Sequence, residues 1–451
     1  MAISNNGNET LADALPGRRR AVQIADPTKS AFFWLSAFFV VYCARPEDWV
    51  PGLKYIPLAK ITAVLAMWGL FNSMGRTKRT LKDLPKEARI LLTLILLMYV
   101  SALLSPIWKG GAISHTIDYS KVWVAWVLVF LIVTSFARLR RIIYIQAAAV
   151  AVACAAALVK GHSVPRLDSV LGGIYSNPND LAFAIVLALP FVLAFLVTTK
   201  NTVAKVMWLV GMLIMGVTLL VTASRAGFLD LIVSGTVTLY YFGIKGRRFY
   251  LIVATFMVGT LMMILAGGKL YDRFAALSGN SSQNKAAYES FEARKYLMAR
   301  SLEGIEHYPI FGLGMRNFPE YSLIWHDVHM TYLQICVEGG IPVVILYIWF
   351  FAIAFKKLKI LRRRTDLDEN VVLFVGALTS SLVGFVFGAL FAPEAYQLFP
   401  YFSVAFIATL LQTVKEQDES PGSVTPPPKK ARHFLEVYAN RGRADAVAPV
   451  R

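Results

Sequence analysis

Apolar residues run along this chain in blocks close to 20 long, separated by short polar connections. They show neither the alternation of a half-buried strand nor the one-sided stripe of a surface helix. As a helix, about 20 residues cross the hydrocarbon core of a bilayer, where lipid leaves every backbone group to be satisfied within the segment. The pattern predicts twelve spans, at roughly 31–49, 56–73, 89–108, 119–136, 140–159, 179–198, 203–222, 226–243, 248–267, 331–355, 371–391 and 398–414. The first has the shortest continuous apolar run. The predicted fold class is therefore an all-α polytopic membrane protein with about 12 transmembrane helices and one large outer loop that contains short helices. An N-terminal segment, 1–30, precedes helices 1–9 over 31–267; the large loop covers 268–330, and helices 10–12 occupy 331–415. The tail, 416–451, holds Pro426-Pro427-Pro428-Lys429-Lys430 and few apolar residues, so it is expected to be disordered.

Charge placement orients the spans. With the N-terminus inside, the inner segments hold 31 of the 46 Lys and Arg residues, and seven of the remainder lie in the single long outer loop. Long loops weigh little in topology, so the count supports both termini inside. Composition agrees, with 56% hydrophobic residues, 16% charged and a mean hydropathy of +0.54, against about 45–50% and ~25% for soluble domains. The formal net charge of +18 would suit nucleic acid, but the cations sit in short clusters between apolar blocks and mark topology instead. Arg18, Arg19 and Arg20 ahead of the first block resemble a signal peptide's leading region. No small-residue cleavage site follows before Arg45-Pro46-Glu47-Asp48, which predicts a retained signal anchor. Cys43, Cys154 and Cys336 form neither a disulfide framework nor a paired metal motif.

Chemistry has few places to reside. The chain has no phosphate-binding P-loop, no dinucleotide fingerprint, no H-E-x-x-H and no calcium loop, so no cofactor and no metal are expected. Of six histidines, His115, His162, His307, His326 and His329 map to the outer side and His433 to the tail. His326 and His329 are three apart before the tenth block, a spacing that places both on one face at a helix start. A neutral histidine is a general base near pH 7; the alternative is an interfacial pair satisfied by water. Arg225 stands in the short outer turn Thr222-Ala223-Ser224-Arg225-Ala226-Gly227, close to hydrocarbon. Such a cation either snorkels to the interface or clamps an anion, of which phosphate matches its planar fork best. In the long loop, Arg294, Lys295 and Arg300 fall on an amphipathic helix expected at 288–306, followed by Arg316. Asn177, Pro178 and Asp180 have the chemistry of a capped helix start at the sixth span.

These pieces occur in a fixed order. Tyr175-Ser176-Asn177-Pro178-Asn179 comes first, then Ser224-Arg225-Ala226-Gly227, then Arg294 ahead of Pro309-Ile310-Phe311-Gly312-Leu313-Gly314 and Asn317-Phe318. His329-Met330-Thr331-Tyr332-Leu333-Gln334 and Glu338-Gly339-Gly340-Ile341-Pro342 close the series. From about Gly172 to Tyr347 the chain resembles the O-antigen ligase and polymerase superfamily of bacterial membrane glycosyltransferases. It departs from that pattern at Met330, where a small polar residue is usual, and at Met298, where an aromatic residue is common. The resemblance implies a metal-independent glycosyltransferase using a glycan on undecaprenyl diphosphate, with a lipid A-core, a second glycan or a protein as acceptor. It further implies His329 as the catalytic residue and Arg225 and Arg294 as diphosphate ligands, with His326, Glu338, Asn179, Arg300 and Arg316 in supporting positions. The inner membrane of a bacterium, with the site facing the periplasm and membrane lipids but no nucleic acid as partners, is the implied setting. The rival class is a transporter or lipid flippase, for which internal repeats and mid-membrane charges would be expected; the sequence displays no repeat, and its ionisable residues cluster at the outer surface.

Overall fold

Five α-helix starts among the described residues carry a polar side chain that satisfies an amide left open by the helix geometry. Ser135 caps a helix at Phe136–Lys160, Asn177 one at Pro178–Thr198, Asn201 one at Thr202–Thr222, Ser224 one at Arg225–Leu239 and Asp368 one at Glu369–Gly388. Between the caps the helices are apolar on nearly all sides, as lipid-embedded and bundle-core segments must be. The protein's structure, a computed structural model, describes residues 26–163, 167, 170–260, 264, 285–324 and 326–419, and for 285–291 the backbone alone. The expectations for the arginines ahead of the first block, for the tail beyond 419 and for the loop at 265–284 lie outside the described residues.

Among the described residues there are sixteen α-helices and no strand. In chain order these are α1 (Lys29–Ala44), α2 (Pro46–Trp49), α3 (Leu58–Asn72), α4 (Lys86–Leu104), α5 (Lys109–Ile132), α6 (Phe136–Lys160), α7 (Pro178–Thr198), α8 (Thr202–Thr222) and α9 (Arg225–Leu239). They continue with α10 (Phe249–Thr260), α11 (Lys285–His307), α12 (Phe318–Ser322), α13 (Thr331–Gly339), α14 (Ile341–Arg363), α15 (Glu369–Gly388) and α16 (Leu398–Asp418). Among the described residues nine helices are long and apolar enough to cross a membrane: α4 to α8, α9 with its continuation to Lys245, and α14 to α16. The shorter apolar helices α1, α3 and α10 fall on the remaining three expected blocks. The chain is an all-α polytopic membrane protein.

The bundle is layered. Helices α7, α15 and α16 are the most enclosed, whereas α8 keeps most of its surface outward. Helix α7 packs against α6, α8, α9 and α15, and α16 against α5, α14 and α15. Aromatic rings fill the centre, with Phe351 and Phe385 only 4.7 Å apart and Tyr347, Phe350 and Tyr401 around them. All three cysteines are free thiols. Two expected blocks differ in detail. The tenth is broken, with α13 ending at Gly339 and α14 starting at Ile341, because Gly340 adopts φ +85 and Pro342 follows. The eighth passes from α9 into a π-helical turn at Tyr240–Lys245.

At the end of the bundle where α5 and α16 finish, a single arginine ties three segments. Arg79 is 1% exposed. Its Nε donates to Glu416 Oε1 at 2.7 Å, Nη1 to the carbonyls of Phe130 and Val133 at 2.9 Å each, and Nη2 to Thr413 Oγ1 at 2.9 Å. The guanidinium thus satisfies carbonyls left open at the α5 C-terminus, a favourable place for a cation. Arg79→Ala removes these donors and is expected to destabilise the fold by about 3 kcal/mol. Arg79→Lys should cost less, since one ammonium retains part of the set. Thermal unfolding of the detergent-purified protein checks both, and equal midpoints for wild type and Arg79→Ala would refute the clamp.

Candidate active site

The broken tenth block creates backbone groups that need partners, and the loop ahead of it provides them. Leu313 N–H donates to the Val337 carbonyl and Gly314 N–H to that of Glu338, both at 2.9 Å, while Ile341 N–H donates to Pro309 O at 2.8 Å. The Pro309–Gly314 motif is therefore a strap laid along the end of α13. Two glycines make this approach possible. A side chain at Gly340 would come within 2.1 Å of the Ile310 carbonyl oxygen, and one at Gly312 within 2.6 Å of the Glu338 backbone, at positive φ in both cases. Asn317, fully buried, extends the strap to the α4–α5 corner through Nδ2, which donates to Ser105 Oγ at 2.7 Å and the Trp108 carbonyl at 3.2 Å. Leu297, Leu313, Phe318, Val328 and Val337 close a small apolar core beneath it.

His329 follows directly on that core. Its neighbour Val328 is buried, and two residues later Thr331 is anchored by N–H to the Ala389 carbonyl at 2.8 Å and by Oγ1 to the Ala392 carbonyl at 2.7 Å. The imidazole is thus held between two fixed points. Its Nδ1 is buried and has no hydrogen-bond partner among the described residues. Burial, then the nearby Arg294 cation and then His326, push its pKa from 6.5 down to about 4. The ring is neutral at pH 7 and able to accept a proton. Arg294 reaches it from α11, which packs on α13. His326 is exposed.

Arg225 belongs to the neighbouring corner. Ala223 turns the chain at φ +48, and Ser224 caps α9 by accepting from Gly227 N–H at 3.1 Å. The same Ser224 hydroxyl donates to Asn179 Oδ1 at 2.7 Å, so Asn179 sets the position of the turn that carries the half-buried Arg225. The loop before α7 is itself tied down, with Tyr175 OH donating to the Cys43 carbonyl at 2.8 Å and Gly172 N–H to Asp48 Oδ2 at 3.0 Å. Next to Asn179, the Asp180 carboxyl meets that of Glu394, and Glu394 N–H donates to Thr331 Oγ1 at 3.0 Å. A bonded route therefore joins the Arg225 turn to the segment bearing His329. Burial and the adjacent Asp180 carboxyl raise the Glu394 pKa.

The remaining candidates divide by what they touch. Arg316, in a left-handed conformation at φ +60, contacts Asp327 at 3.4 Å and acts electrostatically on His115 and Asp180. Glu338 is fully buried and accepts from the Tyr396 hydroxyl, at the foot of the strap. Arg300 is engaged by Glu303 and donates to the Tyr321 carbonyl at 3.1 Å, lying over the Tyr321 ring, which fastens α11 to α12. Among the described residues no group of three His, Cys, Asp or Glu is arranged to hold a metal ion. Sequence reasoning passed over Asp327, Glu394 and Tyr396. Glu394 carried a usable signal, an acidic residue in a short connection between apolar blocks, whereas Asp327 and Tyr396 acquire meaning only from their neighbours.

Fold and site together define a multi-pass membrane protein with histidine, arginine and carboxyl groups gathered at one end of its bundle. Residues 210–348, about a third of the chain, match the family described as O-antigen ligase, and this segment is similar to that superfamily of membrane glycosyltransferases. The matched segment includes Arg225, Arg294, Arg316, His326, His329 and Glu338, while Asn179 lies before it. No curated protein matches the chain.

The depressed histidine pKa predicts a titration. As pH falls through 6.5, His329 stays neutral in the folded protein and takes a proton only toward about 4. The unfolded chain binds that proton first, so this group withdraws stability progressively below pH 6.5. In Arg294→Gln the electrostatic contribution disappears while burial remains, and the His329 midpoint should rise yet stay below 6.5. NMR of histidine-labelled protein measures this, and an unmoved midpoint would show that Arg294 does not act on the ring.

Proposed function

We propose that this membrane glycosyltransferase is an O-antigen ligase, moving a glycan from undecaprenyl diphosphate to a hydroxyl of a lipid A-core acceptor. The observation that carries the reading is the buried, neutral His329 with a free Nδ1, under the electrostatic influence of Arg294. In the reaction the acceptor oxygen attacks the anomeric carbon, its proton passes to His329, and the bond from that carbon to the diphosphate oxygen breaks. The electron pair leaves with the diphosphate, where Arg225 and Arg294 offset the developing charge. Cleavage of the activated diphosphate ester drives transfer, so neither ATP nor a metal is required. A histidine with a pKa near 4 is a weak base in the empty site. Donor binding corrects this, because the diphosphate charge counters Arg294 and raises the basicity of His329 when substrate is in place.

The supporting groups follow their contacts. Asn179 positions the Arg225 turn, Asp327 holds Arg316, His326 and Glu338 orient the base or the acceptor, and Arg300 keeps α11 aligned. The outer segment 285–324 roofs the site, donor lipid enters sideways between helices, and the setting is a bacterial inner membrane with both termini cytoplasmic and the site in the periplasm. A polymerase, with a second lipid-linked glycan as acceptor, or a protein O-oligosaccharyltransferase would use the same chemistry.

Cells lacking this chain, complemented with His329→Ala or Arg225→Ala, provide the test. Both variants should insert normally yet lose transfer, by about 10²–10⁴-fold for the general base. Long chains stranded on the carrier identify a ligase, single stranded repeats a polymerase. Full complementation by both variants would remove the catalytic assignment. With purified components, a chelator should leave the rate unchanged; a chelator-sensitive rate restored by a divalent ion would replace the arginines with a metal.

A further inference from the structure

Two clusters of cations that sequence analysis treats as topological markers converge on one cavity. It has a volume of about 380 Å³, within the range of ordinary ligand sites. Lys245, Arg247 and Arg248 border it from the turn after α9, Arg362 and Arg364 from the last turn of α14 and beyond, and Glu369 from the start of α15. The cavity lies at the end of the bundle away from the candidate active site, since α9 begins with Arg225 and runs toward it.

The local backbone is built around this opening. The π turn closes with Gly246 N–H on the Tyr241 carbonyl at 3.0 Å and Arg248 N–H on the Gly243 carbonyl at 2.8 Å. Such turns cluster at functional sites. Arg247 follows in a left-handed conformation, φ +54, which a non-glycine residue seldom adopts. Tyr241 supports the cations, with Arg362 donating to its hydroxyl and Lys245 lying 5.6 Å from its ring centre.

Not all of this charge is neutralised. Arg248 pairs with Glu369 at 2.8 Å, and Arg364 with Asp366 and Asp418. Among the described residues no ion pair to a carboxylate is present for Lys245, Arg247 or Arg362. The general preference of cations for one membrane face accounts for their side, not for their convergence on a cavity between helices. Val372 of the lining is exposed, and so are Tyr240, Ile244, Phe249 and Tyr250, which flank the lining residues along the chain. Phosphate is the anion whose oxygens suit such a group of donors. Apolar side chains around the mouth require acyl chains beside that phosphate rather than water.

We propose that this cavity binds the headgroup of an anionic phospholipid with two phosphates, a diphosphatidylglycerol, whose acyl chains lie against α10 and the outer faces of α9 and α15. The site is separate from glycosyl transfer and does not depend on that assignment. Basic pockets between helices at a membrane face recognise such headgroups through the same chemistry.

Native mass spectrometry of the full-length protein, delipidated in mild detergent and then given diphosphatidylglycerol or phosphatidylethanolamine, tests the proposal. Wild type should retain the former selectively. The double variant Lys245→Gln/Arg247→Asn, in which asparagine tolerates the left-handed backbone, should lower retention by about tenfold or more. Arg362→Gln alone, which changes no residue of the π turn and leaves its backbone hydrogen bonds in place, should lower it in the same direction. Lys200→Gln/Lys205→Gln removes two exposed cations elsewhere at this end and should retain wild-type binding. Equal loss in that control, or undiminished binding in both cavity variants, overturns the proposal. So does thermal stabilisation by inorganic phosphate or diphosphate matching that by the lipid at equal phosphate concentration, which would identify a soluble anion as the ligand.

Discussion

Three backbone hydrogen bonds between the Pro309–Gly314 strap and the segment 337–341 are what the candidate site rests on. A membrane helix interrupted at Gly340 exposes amides and carbonyls that hydrocarbon cannot satisfy, so the interruption survives only where protein covers it. The strap covers it, and in doing so brings α11, α12 and the histidine segment against the bundle. Arg294, Arg316 and His329 thereby share one end of the molecule although they belong to three separate stretches of chain. The glycines at 312 and 340 are the physical condition for that approach, since any side chain there would collide with the facing backbone.

Arginines illustrate how surroundings divide one residue type among different tasks. Arg79 is sealed among carbonyls, a hydroxyl and a carboxylate, which makes it a structural tie. Arg300 is spent on Glu303 and Tyr321 within the loop. Arg225 and Arg294 are only half-buried, beside the groups that define the candidate site. The Arg294 field acts on His329. In the proposed reaction, a cation that attracts a diphosphate would also suppress the base until the diphosphate arrives, linking base strength to donor occupancy.

The corner where α7, α9 and α15 meet shows how the motifs were legible and their relation was not. Asn177 read as a helix cap from residue type and position alone, because capping is local, and it caps as expected. Arg225 read as a candidate anion clamp and Asn179 as part of a separate motif, with nothing to relate them. Only the packed helices reveal that Asn179 holds Ser224, and that Asp180, Glu394 and Thr331 connect this turn with the histidine segment. These bonds join residues from 45 to well over 100 positions apart, beyond the reach of any local rule.

The sequence alone determined the class of the fold and the places of its apolar helices. Hydrophobic length is a property of contiguous residues, and the bilayer imposes one solution on it. It determined the start of α7, the amphipathic α11 and the residue types from which the candidate site is drawn, for the same local reason. The tertiary structure decided the rest. Burial lowers the pKa of His329, a positive φ breaks the tenth block, and the carboxyls of Asp180 and Glu394 are brought together. Two distant basic clusters, meanwhile, enclose a cavity at the other end. Each of these depends on which side chains become neighbours once lipid-length helices pack. That is settled by interdigitation across the whole bundle, not by any stretch of sequence taken alone.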